Sequence, residues 1–277
     1  MSNSASAKKK TAAVVATGWV GDTITCTAAA TSLYEVGYEV TLFIRWPQLK
    51  DILKNDKRFK VRLYPHLKVI KSFGWLLDLC FDKVVWEPAG WDYIYPSTTE
   101  IRMVAGCEPK PEYELFLGDG FVPEVREKNA RPLIAFGRDI YKRAYGRDVD
   151  EFVRMLSEIA DIEWIGLAPE KNSKHGKGNS LLQEAKRIAA ADIFLGPEGG
   201  LLWLAAGIGK PCVYFSENID AVAARKGIGN LDHVVGSKNH FPDKNIHTAL
   251  PSGCSNQQAI ALIQSALQSI ERFSKLI

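Results

Sequence analysis

What the chain lacks narrows its class first. Across 277 residues no apolar run is long enough to span a membrane. No apolar segment follows the N-terminal lysines, so a secretory leader is not expected. The five cysteines (Cys26, Cys80, Cys107, Cys212 and Cys254) are far apart and form no C-x-x-C pair. That pattern fits reduced thiols in a cytoplasmic protein and implies no zinc site. A net charge of +3 on scattered basic residues gives no footprint for nucleic acid. The five histidines (His66, His175, His233, His240 and His247) show no metal-ligand spacing. No G-x-G-x-x-G follows the first apolar strand, which argues against a dinucleotide-dependent oxidoreductase.

What is present is an alternation of short apolar runs with helical patterns. Hydrophobic content of 46% and charged content of 24% are ordinary for a globular protein. The polar stretch 1–10 reads as a disordered tail. Strands are expected at 11–17, 39–45, 59–63 and 83–86, with helices at 23–36, 48–55, 67–81 and 97–105 between and after them. The pattern breaks in the Gly-, Pro- and charge-rich stretch before residue 131 and then resumes. Strands are expected at 132–136, 162–167, 193–195, 211–215 and 233–235, and helices at 148–160, 180–190 and 201–206. An amphipathic helix at 256–273 follows, apolar at Ile260, Ile263, Ala266, Leu267 and Ile270. Such alternation predicts an α/β chain of parallel β-α-β units. The expected layout is two Rossmann-like domains, 11–120 and 132–255, facing a central cleft, with a linker at 121–131 and a C-terminal helix over 256–277.

Gly196-Pro197-Glu198-Gly199-Gly200 lies between a strand and a helix. A turn of this kind aims free backbone N–H groups and a positive helix end at one spot, where phosphate groups bind. The other reading is an ordinary strand-to-helix turn without a ligand. Arg138, Lys142, Arg143 and Arg147 cluster after the first strand of the second run. They favour an anionic ligand, or else lie on a solvated loop.

Taken together, Gly21-Asp22 after the first strand, Lys142 early in the second run, and Glu198-Gly199-Gly200-Leu201-Leu202-Trp203 with Ala205-Ala206 and Lys210-Pro211 resemble the heptosyltransferase-like glycosyltransferases (glycosyltransferase family 9). Three positions depart from that family's pattern: Glu198 stands for its aspartate, Gly199 for its hydroxyl residue and Trp203 for its histidine. The resemblance implies the GT-B architecture and inverting, metal-independent transfer of a sugar from a nucleotide-diphosphate donor to an acceptor hydroxyl. The donor is then a substrate, and no cofactor is implied. A nucleotide sugar and a glycan or glycolipid acceptor are the implied partners, with peripheral membrane contact left open. Alternatives on the same architecture are a sugar-nucleotide epimerase or hydrolase, and a non-catalytic nucleotide-sugar-binding protein.

The resemblance makes Asp22 the catalytic base, whereas by residue type alone it suits a helix cap. Donor binding falls to Arg138, Lys142, Arg143, Glu198 and the N–H groups of Gly199, Gly200 and Leu201. Glu198 is alternatively a favourable charge at a helix N-terminus. Gly18, Trp19 and Gly21 are the acceptor-binding candidates, with Trp19 stacking on a sugar ring or packing in the core. Trp203, one turn inside its helix, reads as core. Asp148-Val149-Asp150 has the D-x-D form by which other glycosyltransferases hold a divalent cation, but it opens a helix and reads as capping.

Overall fold

In the computed structural model, residues 9–88, 97–110, 115, 117, 121, 131–141, 146–166, 180–197, 199–215, 247–250 and 253–274 are described. The tail 1–8, most of the 121–131 linker, the strand expected at 233–235, and Lys142, Arg143 and Glu198 lie outside them.

The described strands form two parallel sheets. The first has the order β3-β2-β1-β4 and is built from β1 (Thr11–Val15), β2 (Glu39–Ile44), β3 (Phe59–Leu63) and β4 (Lys83–Trp86). The second has the order β6-β5-β7-β8-β9, from β5 (Leu133–Gly137), β6 (Asp161–Ile165), β7 (Ile193–Pro197), β8 (Cys212–Phe215) and β9 (His247–Leu250). In register, Val14 of β1 sits between Leu42 and Val85. Central strands of a parallel sheet are covered on both faces, which is why β1 and β7 read as nearly unbroken apolar runs.

Helix α1 (Val20–Glu35) sits at the centre, with Gly21 and every residue from Thr23 to Leu33 buried. Four threonines in a buried helix need partners. Thr23, Thr25 and Thr27 supply their own by bonding back to the carbonyls of Trp19 (3.0 Å), Asp22 (2.7 Å) and Ile24 (2.6 Å). The small side chains of this helix let α5 (Ser97–Val104) and α8 (Gly200–Gly207) pack closely on it. Helix α2 (Pro47–Leu53) meets α7 (Leu181–Ala190) in the same layer. One continuous apolar cluster therefore joins β1, α1 and β2 to α7, α8 and Tyr214. A second cluster covers the far face of the second sheet with α6 (Val149–Ile159) and the C-terminal helix Asn256–Ser274. The far face of the first sheet has only a small cluster around Val15, Tyr64 and Ile70.

Several expectations need correction. The helix expected over 67–81 is two helices, α3 (Leu67–Ser72) and α4 (Gly74–Cys80), broken at Phe73. Gly74 explains the break: a Cβ there would stand 3.0 Å from the Trp86 ring, so the chain re-enters helix hard against β4. Helix α1 starts at Val20 rather than 23, and β9 had no strand signal in its four residues. Asp148 caps α6 by accepting the Glu151 N–H at 3.0 Å, which agrees with the capping reading of the D-x-D.

The first turns of α1 and α8 touch through glycine. A Cβ on Gly21 would lie 2.9 Å from Trp203 and 3.4 Å from the Gly200 Cα, and one on Gly200 would lie 2.9 Å from Val20. Gly21→Val and Gly200→Val should each destabilise the protein by about 1–3 kcal/mol through overpacking, measurable as a lower urea midpoint.

Candidate functional site

In an open parallel sheet, ligands bind beyond the carboxyl ends of the strands where the strand order reverses. The reversal lies between β1 and β4 in the first sheet and between β5 and β7 in the second. The loops at those points hold Gly18–Asp22 and Glu87 in one case, and Arg138 with the Pro197–Gly200 turn in the other.

Asp22 stands in the first turn of α1, and its Oδ2 accepts the Trp19 N–H at 2.8 Å. Asp22 is therefore not the N-cap that its residue type suggested; Trp19 holds that position, and Asp22 reaches back to its N–H from the third helical position. Glu87, just past β4, is buried, and its Oε2 accepts the N–H of Thr17 (2.6 Å) and Gly18 (2.9 Å). The other Glu87 oxygen and Asp22 Oδ2 stand 2.4 and 2.5 Å from where a Cβ on Gly18 would be. They are therefore no farther apart than those two distances together, and only a glycine fits between them. Burial raises the Glu87 carboxyl to about 6, with the Asp22 charge adding to the shift and the Gly18 and Thr17 N–H groups opposing it. Burial, reinforced by the Glu87 charge, also pushes Tyr64 up to about 12 and holds the Cys26 thiol well above its usual range. Glu87 was missed in the sequence. Its signal was an acid ending an apolar strand, which also suits any exposed strand end.

Trp19 is exposed (74%) and not core. It stacks on Trp46 with centroids 5.3 Å apart and planes 19° apart, and Trp46 Nε1 donates to the Gly18 carbonyl at 2.8 Å. The Arg45 guanidinium lies 5.1 Å from the Trp46 ring centre. Trp46 and Arg45 thus brace Trp19 beside Asp22, and along the chain only their place at a strand end marks them.

On the second sheet, Arg138 opens a 3-10 turn directly after β5, its guanidinium 5.3 Å from the Trp164 ring centre. Arg147 is committed elsewhere. It lies against Phe152 and Phe215 and donates to Asn256 Oδ1 (2.9 Å) and the Cys254 carbonyl (3.0 Å). Its guanidinium is thus engaged within the fold. Gly199, Gly200 and Leu201 are half-buried at the start of α8, whose first N–H groups have no acceptor within the helix. Trp203 is buried, as its core reading required, and packs over Gly21. The structure brings Gly18, Trp19, Gly21 and Asp22 together where the loop after β1 enters α1, and sets Gly200 against Gly21 across the two sheets. Among the described residues no three His, Cys, Asp or Glu side chains group as a metal site. A recess of about 810 Å³ along β2 and β3, lined by Lys9, Glu39, Lys60 and Arg62, opens at the amino ends of the strands. It lies at the wrong end of the sheet for the reversal-point site.

The fold is that of the heptosyltransferase-like glycosyltransferases, as the sequence resemblance implied. E. coli heptosyltransferase WaaC with ADP-2-deoxy-2-fluoro heptose aligns with a TM-score of 0.61 at 11% identity, covering 92% of this chain and 99% of that one. The dodecameric iron-containing heptosyltransferase TibC in complex with ADP-D-beta-D-heptose aligns at 0.62 and 11%, covering 97% and 77%. Against the TibC glycosyltransferase from enterotoxigenic E. coli H10407 the score is 0.59 at 13% identity, and this chain spans 64% of that protein's length. No family model and no curated protein matches the sequence.

Because Glu87 titrates near 6 in the fold against an ordinary 4.5, its stabilising contribution is full below 4.5 and is lost as pH rises through 6. Glu87→Gln can still accept both N–H groups. Its loss of stability between pH 4.5 and neutrality should be smaller than wild type's by roughly 2 kcal/mol, read from urea unfolding at a series of pH values.

Proposed function

We propose that the chain is a glycosyltransferase that moves a sugar from a nucleoside-diphosphate donor to a hydroxyl of a glycan or glycolipid acceptor, with inversion and without a metal ion. The carrying observation is the convergence of two helix N-termini, α1 and α8, beside the Asp22 and Glu87 carboxylates at the carboxyl ends of both sheets. In this reading the two sheets are the acceptor and donor lobes of a cleft. The N–H groups of Gly199, Gly200 and Leu201 take the diphosphate, assisted by Arg138, Lys142 and Arg143, and Glu198 bonds the donor sugar.

The chemistry is a single displacement. The acceptor oxygen bonds to the anomeric carbon as the bond from that carbon to the diphosphate breaks, and the electron pair leaves on the diphosphate. Asp22 takes the acceptor proton. Donors fixed in advance on the departing diphosphate supply the largest catalytic term, on the order of 3 kcal/mol for one of them. Trp19, braced by Trp46, stacks on the acceptor ring, with the Gly18 and Gly21 backbone beside it. Since Gly21 and Gly200 are in contact, admitting a donor between Asp22 and α8 requires the two helix ends to part. The reading places the chain in the cytoplasm with peripheral membrane contact, and no described helix is long and apolar enough to cross a membrane.

Trp203 supports a second reading. It fills the space over Gly21 at the position of the family's histidine, which suits a protein that binds a nucleotide sugar without turning it over. Released nucleotide separates the readings: it depends on acceptor for a transferase, is independent of acceptor for a hydrolase, and is absent for a binder. Thermal shift with ADP, UDP, GDP and CMP identifies the base. Asp22→Asn, which can still accept the Trp19 N–H, should lower kcat for transfer by about 100-fold or more while leaving nucleotide affinity within about twofold. Normal turnover in that variant would remove Asp22 from the role of base.

A further inference from the structure

The outward side of the first sheet carries an unusual concentration of uncovered apolar surface. No residue of α4 is buried. Val69, Phe73, Trp75, Leu76 and Leu79 are all exposed, Trp75 by 59% and Leu79 by 74%. Trp75, Leu76 and Leu79 share one side of α4, Trp75 and Leu79 being four apart, with Phe73 at the break before it and Val69 on α3. Exposed Lys68 and Lys71 lie on α3 and exposed Lys60 and Arg62 on the preceding strand, and Asp78 is the one acidic residue between 57 and 81.

We infer that the exposed face of α3 and α4 docks on an anionic lipid bilayer. Aromatic and leucine side chains interleaved with lysines are the chemistry of a helix lying in the headgroup region, with rings and leucines at the acyl boundary and cations on the phosphates. The lysine stems can follow the apolar groups down while their ammonium groups stay at the headgroups. Helices of six and seven residues are far too short to cross a bilayer, so this segment lies on the surface rather than in it. A second copy of the chain is a poor occupant, because self-docking would set the same cations against each other across a low-dielectric contact. Placement agrees with use. Helix α3 follows the carboxyl end of β3, and Gly74 of α4 rests on Trp86, next to Glu87. The docked face thus borders the loops that hold Asp22 and Trp19. The inference rests on the peripheral membrane contact of the proposed function, to which it gives a surface and a lipid class.

The test is sedimentation of the full chain with vesicles of phosphatidylcholine alone and of phosphatidylcholine with about one third phosphatidylglycerol. Binding to the anionic vesicles alone is expected, weakening as salt is raised. The double variant Trp75→Ser/Leu79→Ser and, separately, Lys68→Glu/Lys71→Glu should each lower the bound fraction about tenfold. Neither should change the melting temperature or the nucleotide thermal shift. Equal binding to both vesicle types, no binding to either, or wild-type binding by the double variants overturns the inference. So does a dimer in light scattering that Trp75→Ser abolishes, since the face would then be covered by a second copy. Because vesicle binding involves no nucleotide, its loss and the loss of transferase activity are read separately.

Discussion

The contact between Gly21 and Gly200 sets the arrangement of everything near it. Two helices can bring their first turns this close only where neither carries a side chain at the crossing. The approach fixes how the β1 loop faces the start of α8, and it buries Trp203 on one side and partly covers Val20 on the other. It also explains why the buried helix α1 is so rich in alanine and threonine: the first sheet, α5 and α8 all crowd it.

That meeting has an electrostatic side. Both helices present their positive ends at the same place, an arrangement that repels itself unless negative charge is nearby. Asp22 and Glu87 supply that charge from the first-sheet side, and they in turn crowd each other around Gly18. An anion arriving at the α8 end would meet main-chain donors already oriented. An acid sits one loop away, held by the Trp19 N–H. The acid and the start of α8 are neighbours because the two helices meet.

Much of the fold was legible in the sequence because parallel strands buried on both faces leave continuous apolar runs, and β3 and β4 matched their expected bounds. Boundaries slipped where tertiary packing overrode local pattern. Phe73 breaks a helix that periodicity would have continued, because Gly74 must fit against Trp86. Helix α1 begins three residues early because Trp19 and Asp22 together cap it. The site was half legible. Gly21, Asp22 and the Gly199-Gly200 pair follow a spacing along the chain, and the structure sets them together. Glu87, Trp46 and Arg45 reach the same place only through strand order, which no stretch of sequence encodes. Arg147 misled for the converse reason, since its partners Cys254 and Asn256 are more than a hundred residues away.

Arg147 carries one more consequence. Its guanidinium is clamped between Phe152 and Phe215 and tethered to the residues that open the C-terminal helix. The residue that leads into α6 is therefore anchored by the last helix of the fold. Damage to that helix would reach the start of α6 as slack, although more than a hundred residues separate them in the chain.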